Sequence, residues 1–156
     1  MEKTIVVHAN GKDTEIPIKA SMKALLTYRA EFTGDLLKDL NDVYAKLHPD
    51  PFLEAIKKAG INPGKISRDE LLQTVIENID YASLDVDGNA TPVLPDADTQ
   101  IKAMQIIWAM AKTAAGSTKR FDLWCDDMGL LPVTDLIDRC YEIWQQANAG
   151  TIELKN

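Results

Sequence analysis

Two cysteines and two histidines in 156 residues rule out much chemistry before any pattern is read. Cys125 and Cys140 stand singly and His8 and His48 lie far apart, with no Cys-x-x-Cys or His-x-x-x-His pair. The converging ligand set of a zinc site is therefore missing. Each cysteine sits among apolar neighbours in a helical pattern, where a reduced thiol acts as a small hydrophobe, as in a cytoplasmic protein. An imidazole base would have to be His8, within a strand-like alternation, or His48, before Pro49 at a helix end, and both read as exposed or satisfied residues. Glycine and proline number 8 and 7 and fall between periodic segments, which excludes collagen-like and low-complexity material. No internal repeat is present. The most apolar stretch, Ala103 to Ala115, is too short to span a bilayer and is broken by Gln105 and Lys112, so no membrane association is expected. Basic side chains are in deficit, 17 against 24 acidic, and a net charge of −7 with no basic run repels phosphate backbones, so no nucleic-acid partner is expected.

The remaining chemical patterns are incomplete. Asp85, Asp87 and Asn89 open like a calcium loop, but the required glycine is replaced by Ala90 and the closing position falls on Asp96 after two prolines. Gly60 to Ser67 resembles a phosphate loop only loosely, with its glycine spacing one residue short, Ile66 between Lys65 and Ser67, and no strand before it. Asp126 and Asp127 are adjacent in a helix and diverge by about 100°, the wrong arrangement for shared acid–base work. No catalytic residue, metal or cofactor is expected, and the chain is not read as an enzyme.

With 46% hydrophobic residues the chain can bury one core, and a single domain is expected over residues 1–156. Thr4 to His8 and Glu15 to Lys19 flank Asn10-Gly11, a pair that tolerates positive φ, so residues 1–20 read as a β-hairpin. Pro17 lacks an N–H and belongs on an edge or on the unpaired side of its strand. The start, Met1-Glu2-Lys3-Thr4, leads directly into this segment and carries no expected secretion signal.

Residues 21–80 read as helices. Ser21 caps a face of Leu25, Tyr28 and Phe32, and Thr33-Gly34 interrupts it. Leu36, Leu37, Leu40, Val43, Tyr44 and Leu47 then form a stripe with Asp35 in its first turn. Asp50-Pro51 opens a third helix, closed by Gly60, with Phe52, Leu53 and Ile56 as its buried side. Ser67 and Glu70 make a capping box for a fourth, whose core face is Leu71, Leu72, Val75, Ile76 and Ile79. Residues 81–97, with Asp87-Gly88-Asn89, Pro92 and Pro95, read as a long loop. Residues 98–149 return to helices. Asp98 or Asp96 caps a segment apolar on nearly all sides from Ala103 to Ala111, which is either the centre of the core or partly covered by a partner. Gly116 stops it. A short helix carries Phe121, Trp124 and Met128, and the last carries Leu136, Ile137, Cys140, Tyr141, Trp144 and Ala147. Residues 150–156 read as a flexible tail. The fold class is thus mainly α, a small N-terminal β-hairpin followed by a compact multi-helix bundle.

Tyr28-Arg29-Ala30-Glu31-Phe32-Thr33-Gly34-Asp35-Leu36-Leu37-Lys38-Asp39-Leu40, placed after a hairpin, resembles the tail assembly chaperones of long-tailed (siphovirus-type) bacteriophages. That family typically shows a tyrosine–arginine pair, then an aromatic, a glycine and an aspartate opening a leucine-rich helix. Ile106 to Ala111 followed by Phe121-Asp122-Leu123-Trp124 is similar to its second half, and Thr33 displaces the glycine from its frequent place directly after the aromatic. The resemblance implies a phage or prophage protein of the host bacterial cytoplasm, absent from the mature virion. It would bind the tape measure protein, whose long apolar helices would otherwise aggregate, and keep it soluble during tail assembly. It also implies a longer product made by ribosomal frameshifting, which would recruit the tail tube protein; Leu154-Lys155-Asn156 is a place for a slippery stretch.

Aromatic side chains dominate cores and interface hot spots alike, so Tyr28, Phe32, Trp108, Phe121 and Trp124 are the candidate partner-binding residues where exposed, together with the loop from Tyr81 to Asp96. Self-association into a homo-oligomer through the hairpin edge is a further expectation. A helical protein-binding adaptor or regulatory module of a mobile element is the alternative reading.

Overall fold

The computed structural model describes residues 1–9, 11–84, 87, 94–115 and 119–155, without the side chain of residue 83. Asn10, Gly116, Asn156 and most of the expected loop at 81–97 lie outside the described residues, so those expectations are not addressed. The elements are strands β1 (Glu2–Ala9) and β2 (Lys12–Lys19), then helices α1 (Met22–Phe32), α2 (Leu36–Leu47), α3 (Pro51–Ala59), α4 (Arg68–Asn78), α5 (Ala97–Ala115), α6 (Phe121–Met128) and α7 (Val133–Asn148). The chain is mainly helical behind an N-terminal hairpin, as its periodicity indicates. It groups into two compact units, one of Met1–Lys46 with Pro95–Asn156 and one of Leu47–Leu94.

In the first unit β1 and β2 pair antiparallel, with register from Glu2↔Lys19 to Ala9↔Lys12. Gly11, at φ 70°, supplies the left-handed residue that a two-residue connection needs. Pro17 faces Thr4, a position whose N–H points away from β1, so it removes no ladder bond. Val7, Ile16 and Ile18 turn inward and are buried.

The all-round apolar helix α5 is the centre of this unit, covered by β2, α1, α6 and α7. Ala103 and every residue from Ile106 to Ala111 are buried. Asp96 caps it, its Oδ1 accepting from Thr99 N–H at 2.7 Å. Leu36, Leu40 and Val43 of α2, and Val133, Leu136, Ile137, Cys140, Ile143 and Trp144 of α7, are also buried.

In the second unit the caps form as their residue types dictate. Asp50 Oδ1 accepts from Phe52 and Leu53 N–H at 2.9 and 3.3 Å, and Ser67 Oγ from Glu70 N–H at 3.2 Å. Gly60 ends α3 at φ 67°. Burial departs from expectation. Among the described residues of this unit Ala55 is the one buried hydrophobic side chain. Phe52, Leu53, Leu72 and Ile76, read from the sequence as core, are exposed, while Ile56, Leu71, Val75 and Ile79 are half-buried. The reason is geometric. Two short helices packed on each other each cover one stripe of the partner, and an apolar face wider than that stripe is left over.

Candidate protein-binding surfaces

Four of the five candidate aromatics converge in the first unit. Phe32 lies 5.2 Å from Tyr28, 5.5 Å from Trp108 and 5.1 Å from Phe121, measured between ring centroids, and Trp108 lies 6.0 Å from Phe121. The last three contacts are edge-to-face, the arrangement the ring quadrupoles favour. Tyr28 and Trp108 are buried, and Phe32 and Phe121 are half-covered. Trp124, one turn along α6 from Phe121, is buried as well. None of the five is exposed, so this constellation holds α1, α5 and α6 together.

Polar tips are satisfied within it. Trp108 Nε1 donates to Lys119 O at 3.0 Å, which fixes the approach to α6, and Lys112 Nζ stands 4.8 Å over the indole ring. Tyr28 Oη donates to Asp39 Oδ2 at 2.8 Å, and Lys102 Nζ lies 3.5 Å from the same oxygen. Burial first, then this carboxylate, pushes the Tyr28 phenol far above its ordinary pKa. The glycine between the two helices has a steric cause: a Cβ at Gly34 would stand 2.9 Å from Asp39 Oδ2 and 3.0 Å from the Tyr28 ring. Thr33 takes the left-handed position at φ 58°, so the shifted glycine serves close approach and not backbone freedom. Sequence reasoning singled out Tyr28 and Gly34 but missed Asp39, whose only signal was an acidic residue on the inner side of a leucine stripe.

A second feature was also missed. Tyr44 and Tyr141 stack at 4.2 Å and 18°, and beside Tyr141 a groove of about 380 Å³ opens between α2 and α7, lined by Leu37, Leu40 and Trp144. Trp144 Nε1 is buried without a hydrogen-bond partner. Nothing in the one-dimensional pattern distinguishes this indole from that of Trp108.

Exposed large apolar side chains occur on both units: Met22 and Leu26, one turn apart on α1, are among those of the first, and the second carries a further group on and beside α3 and α4. Phe52, Leu53, Leu72, Ile76 and Tyr81 are each half or more exposed. Leu72 and Ile76 share one face of α4, and Phe52 is followed one turn later on α3 by Ile56. Tyr81, in the short 3-10 turn Tyr81–Ser83, donates its hydroxyl to Ile76 O at 3.1 Å.

Among the described residues, chemical groups do not gather anywhere comparable. Among the described residues there is no cluster of three or more metal-ligating side chains, and no helix is long and apolar enough to cross a membrane. His8 is exposed and pairs with Asp13 across the hairpin at 2.6 Å. Asp126 and Asp127 are exposed on α6. No protein-family model, curated protein or solved structure matches the chain.

Proposed function

We propose that this protein is a tail assembly chaperone of a long-tailed phage, which binds the tape measure protein through apolar side chains of α3 and α4 and keeps it soluble in the host cytoplasm. The observation that carries the reading is the contrast between its helices. From Ala103 to Ala111 no side chain of α5 is exposed, whereas α3 and α4 leave Phe52, Leu53, Leu72 and Ile76 open to solvent. A helical client with an apolar stripe supplies the missing surface.

Completing the burial of four half-exposed side chains is worth roughly 1 kcal/mol each, or about 4 kcal/mol before the cost of association. Such affinity per copy is weak, as suits a protein that coats a long client in many copies and is then displaced. The net charge of −7 keeps those copies mutually soluble.

The test is co-expression of the full chain with the tape measure protein of the same phage or prophage, scored by the client's soluble fraction. Leu72→Ser combined with Ile76→Ser is expected to abolish the solubilisation and to leave the helical content unchanged. A client equally soluble without this chain, or equally soluble with the double variant, would sink the proposal. Capture of a host protein in place of the client would favour the adaptor reading.

A further inference from the structure

The two edges of the hairpin are not equivalent. Met1 N–H donates to Ala20 O at 3.2 Å and Ala20 N–H to Met1 O at 2.9 Å. With the register fixed, the odd residues of β1 therefore bond to β2, and Thr4, Val6 and His8 turn their backbone groups outward. On β2 the outward set includes Pro17, which has no N–H to give. Only β1 offers an unbroken row of donors and acceptors.

Beside that row α7 leaves an open groove. One stretch, about 600 Å³, runs along Ile5 to His8, and another, about 320 Å³, along Lys3 to Val6; Ile5, Val6, Arg139 and Glu142 line both, so the two are continuous. Leu136 lines one and Ile143 the other. Six strand residues span about 20 Å, the length of an ordinary strand.

We propose that this groove binds an extended segment as a third strand on β1, and that the occupant is Thr151–Lys155 of a second copy. The segment belongs to no helix or strand, and its Ile152 and Leu154 are 96% and 88% exposed, more than any other large apolar side chain described. Their spacing of two puts both on one side of an added strand, beside the half-buried Ile5 and over a floor to which the buried Val7, Leu136 and Ile143 contribute. Charge permits the same occupant. Asp135, Asp138 and Glu142 outnumber Arg139 on the α7 wall, which disfavours an acidic strand, whereas Glu153 and Lys155 leave this segment neutral. Delivered to a neighbour, it links copies head to tail.

The experiment is sedimentation velocity of the full chain over a concentration series, with two variants. Ile152→Asp combined with Leu154→Asp spoils the segment and touches no buried residue. Val6→Pro deletes one outward N–H and takes no bond from the β1–β2 ladder. The wild type is expected to associate with rising concentration, and each variant to weaken this by at least about tenfold, or 1.4 kcal/mol, with unchanged circular dichroism. Mixing the two variants is expected to yield heterodimers, since one keeps the segment and the other keeps the groove. A monomeric wild type, variants that associate as it does, or a mixture without heterodimers would overturn the proposal; should Val6→Pro not fold, the segment variant alone decides. The outcome is independent of the client-solubility test.

Discussion

Tyr28→Phe removes one oxygen atom and tests whether the α1–α2 junction is held by the contact described. The phenol is buried, its hydroxyl lies 2.8 Å from Asp39 Oδ2, and the Asp39 side chain is 15% exposed. A hydrogen bond to a charged acceptor contributes about 1.5–3 kcal/mol. Lys102 stays 3.5 Å from the same oxygen and solvent reaches part of the carboxylate, so the lower end applies, about 1.5–2 kcal/mol. The three tryptophans all belong to the unit formed by Met1–Lys46 and Pro95–Asn156, so tryptophan fluorescence in urea reports that unit's unfolding. Asp39→Asn and the double variant complete a cycle, and a coupling of about 1 kcal/mol or more between the two sites is expected. Strict additivity, within about 0.3 kcal/mol, would refute the account of Tyr28, Gly34 and Asp39 as one contact. Refolded Tyr28→Phe is also expected to solubilise the client normally, because Tyr28 is buried and the client surface proposed here lies on α3 and α4.

Two other perturbations separate residues that look alike in the sequence. Trp108→Phe loses the bond to Lys119 O and much of the edge-to-face contact with Phe32 and Phe121, and is expected to cost about 3 kcal/mol. Trp144→Phe relieves a buried, unpartnered N–H worth about 1–3 kcal/mol against a similar loss of ring volume, so its urea midpoint is expected to stay close to wild type; equal losses in both variants would contradict this. Burial pushes the Cys140 thiol up to about 12, whereas an unfolded thiol ionises near 9.0, so the unfolded chain releases its proton first and stability should fall as pH rises from about 9 to 12. Cys125 is raised less, by burial and then by Asp126 and Asp122, and should react with a thiol reagent before Cys140, which reacts only on unfolding. Urea midpoints that do not decline between pH 8 and 10.5, or early labelling of Cys140, would contradict this.

Local chemistry was legible because its causes lie within a few residues. Ser21, Asp50 and Ser67 cap the helices they precede, and Pro17 takes a position that needs no ladder donor. The apolar circumference of α5 identified the centre of the first unit for the same reason: such a helix has to be surrounded. What stayed hidden depends on what stands opposite. Phe52 and Leu72 carry the same pattern as Leu36 and Leu136, yet they are exposed, since periodicity tells which face is apolar and not whether another element covers it. Asp39 and the groove beside β1 were invisible because their partners lie far away in sequence, on α1, α5 and α7.

On the proposed function, the residues that carry the resemblance to tail chaperones are distinct from the α3 and α4 side chains that we propose meet the client. Tyr28, Phe32, Gly34 and Asp39 fix the junction of α1 with α2, and Trp108 with Phe121 extends the same cluster onto α5 and α6. Such a junction constrains its sequence tightly, because a methyl group at Gly34 already collides with two of its members. An apolar surface that meets a long helical client is constrained only in polarity and rough shape, so many combinations of Leu, Ile and Phe serve equally. Chains that share the junction and differ freely on α3 and α4 would keep the fold while meeting different clients. Exchanging the α3–α4 segment between two such proteins, with the junction intact, should then move client preference with the exchanged segment.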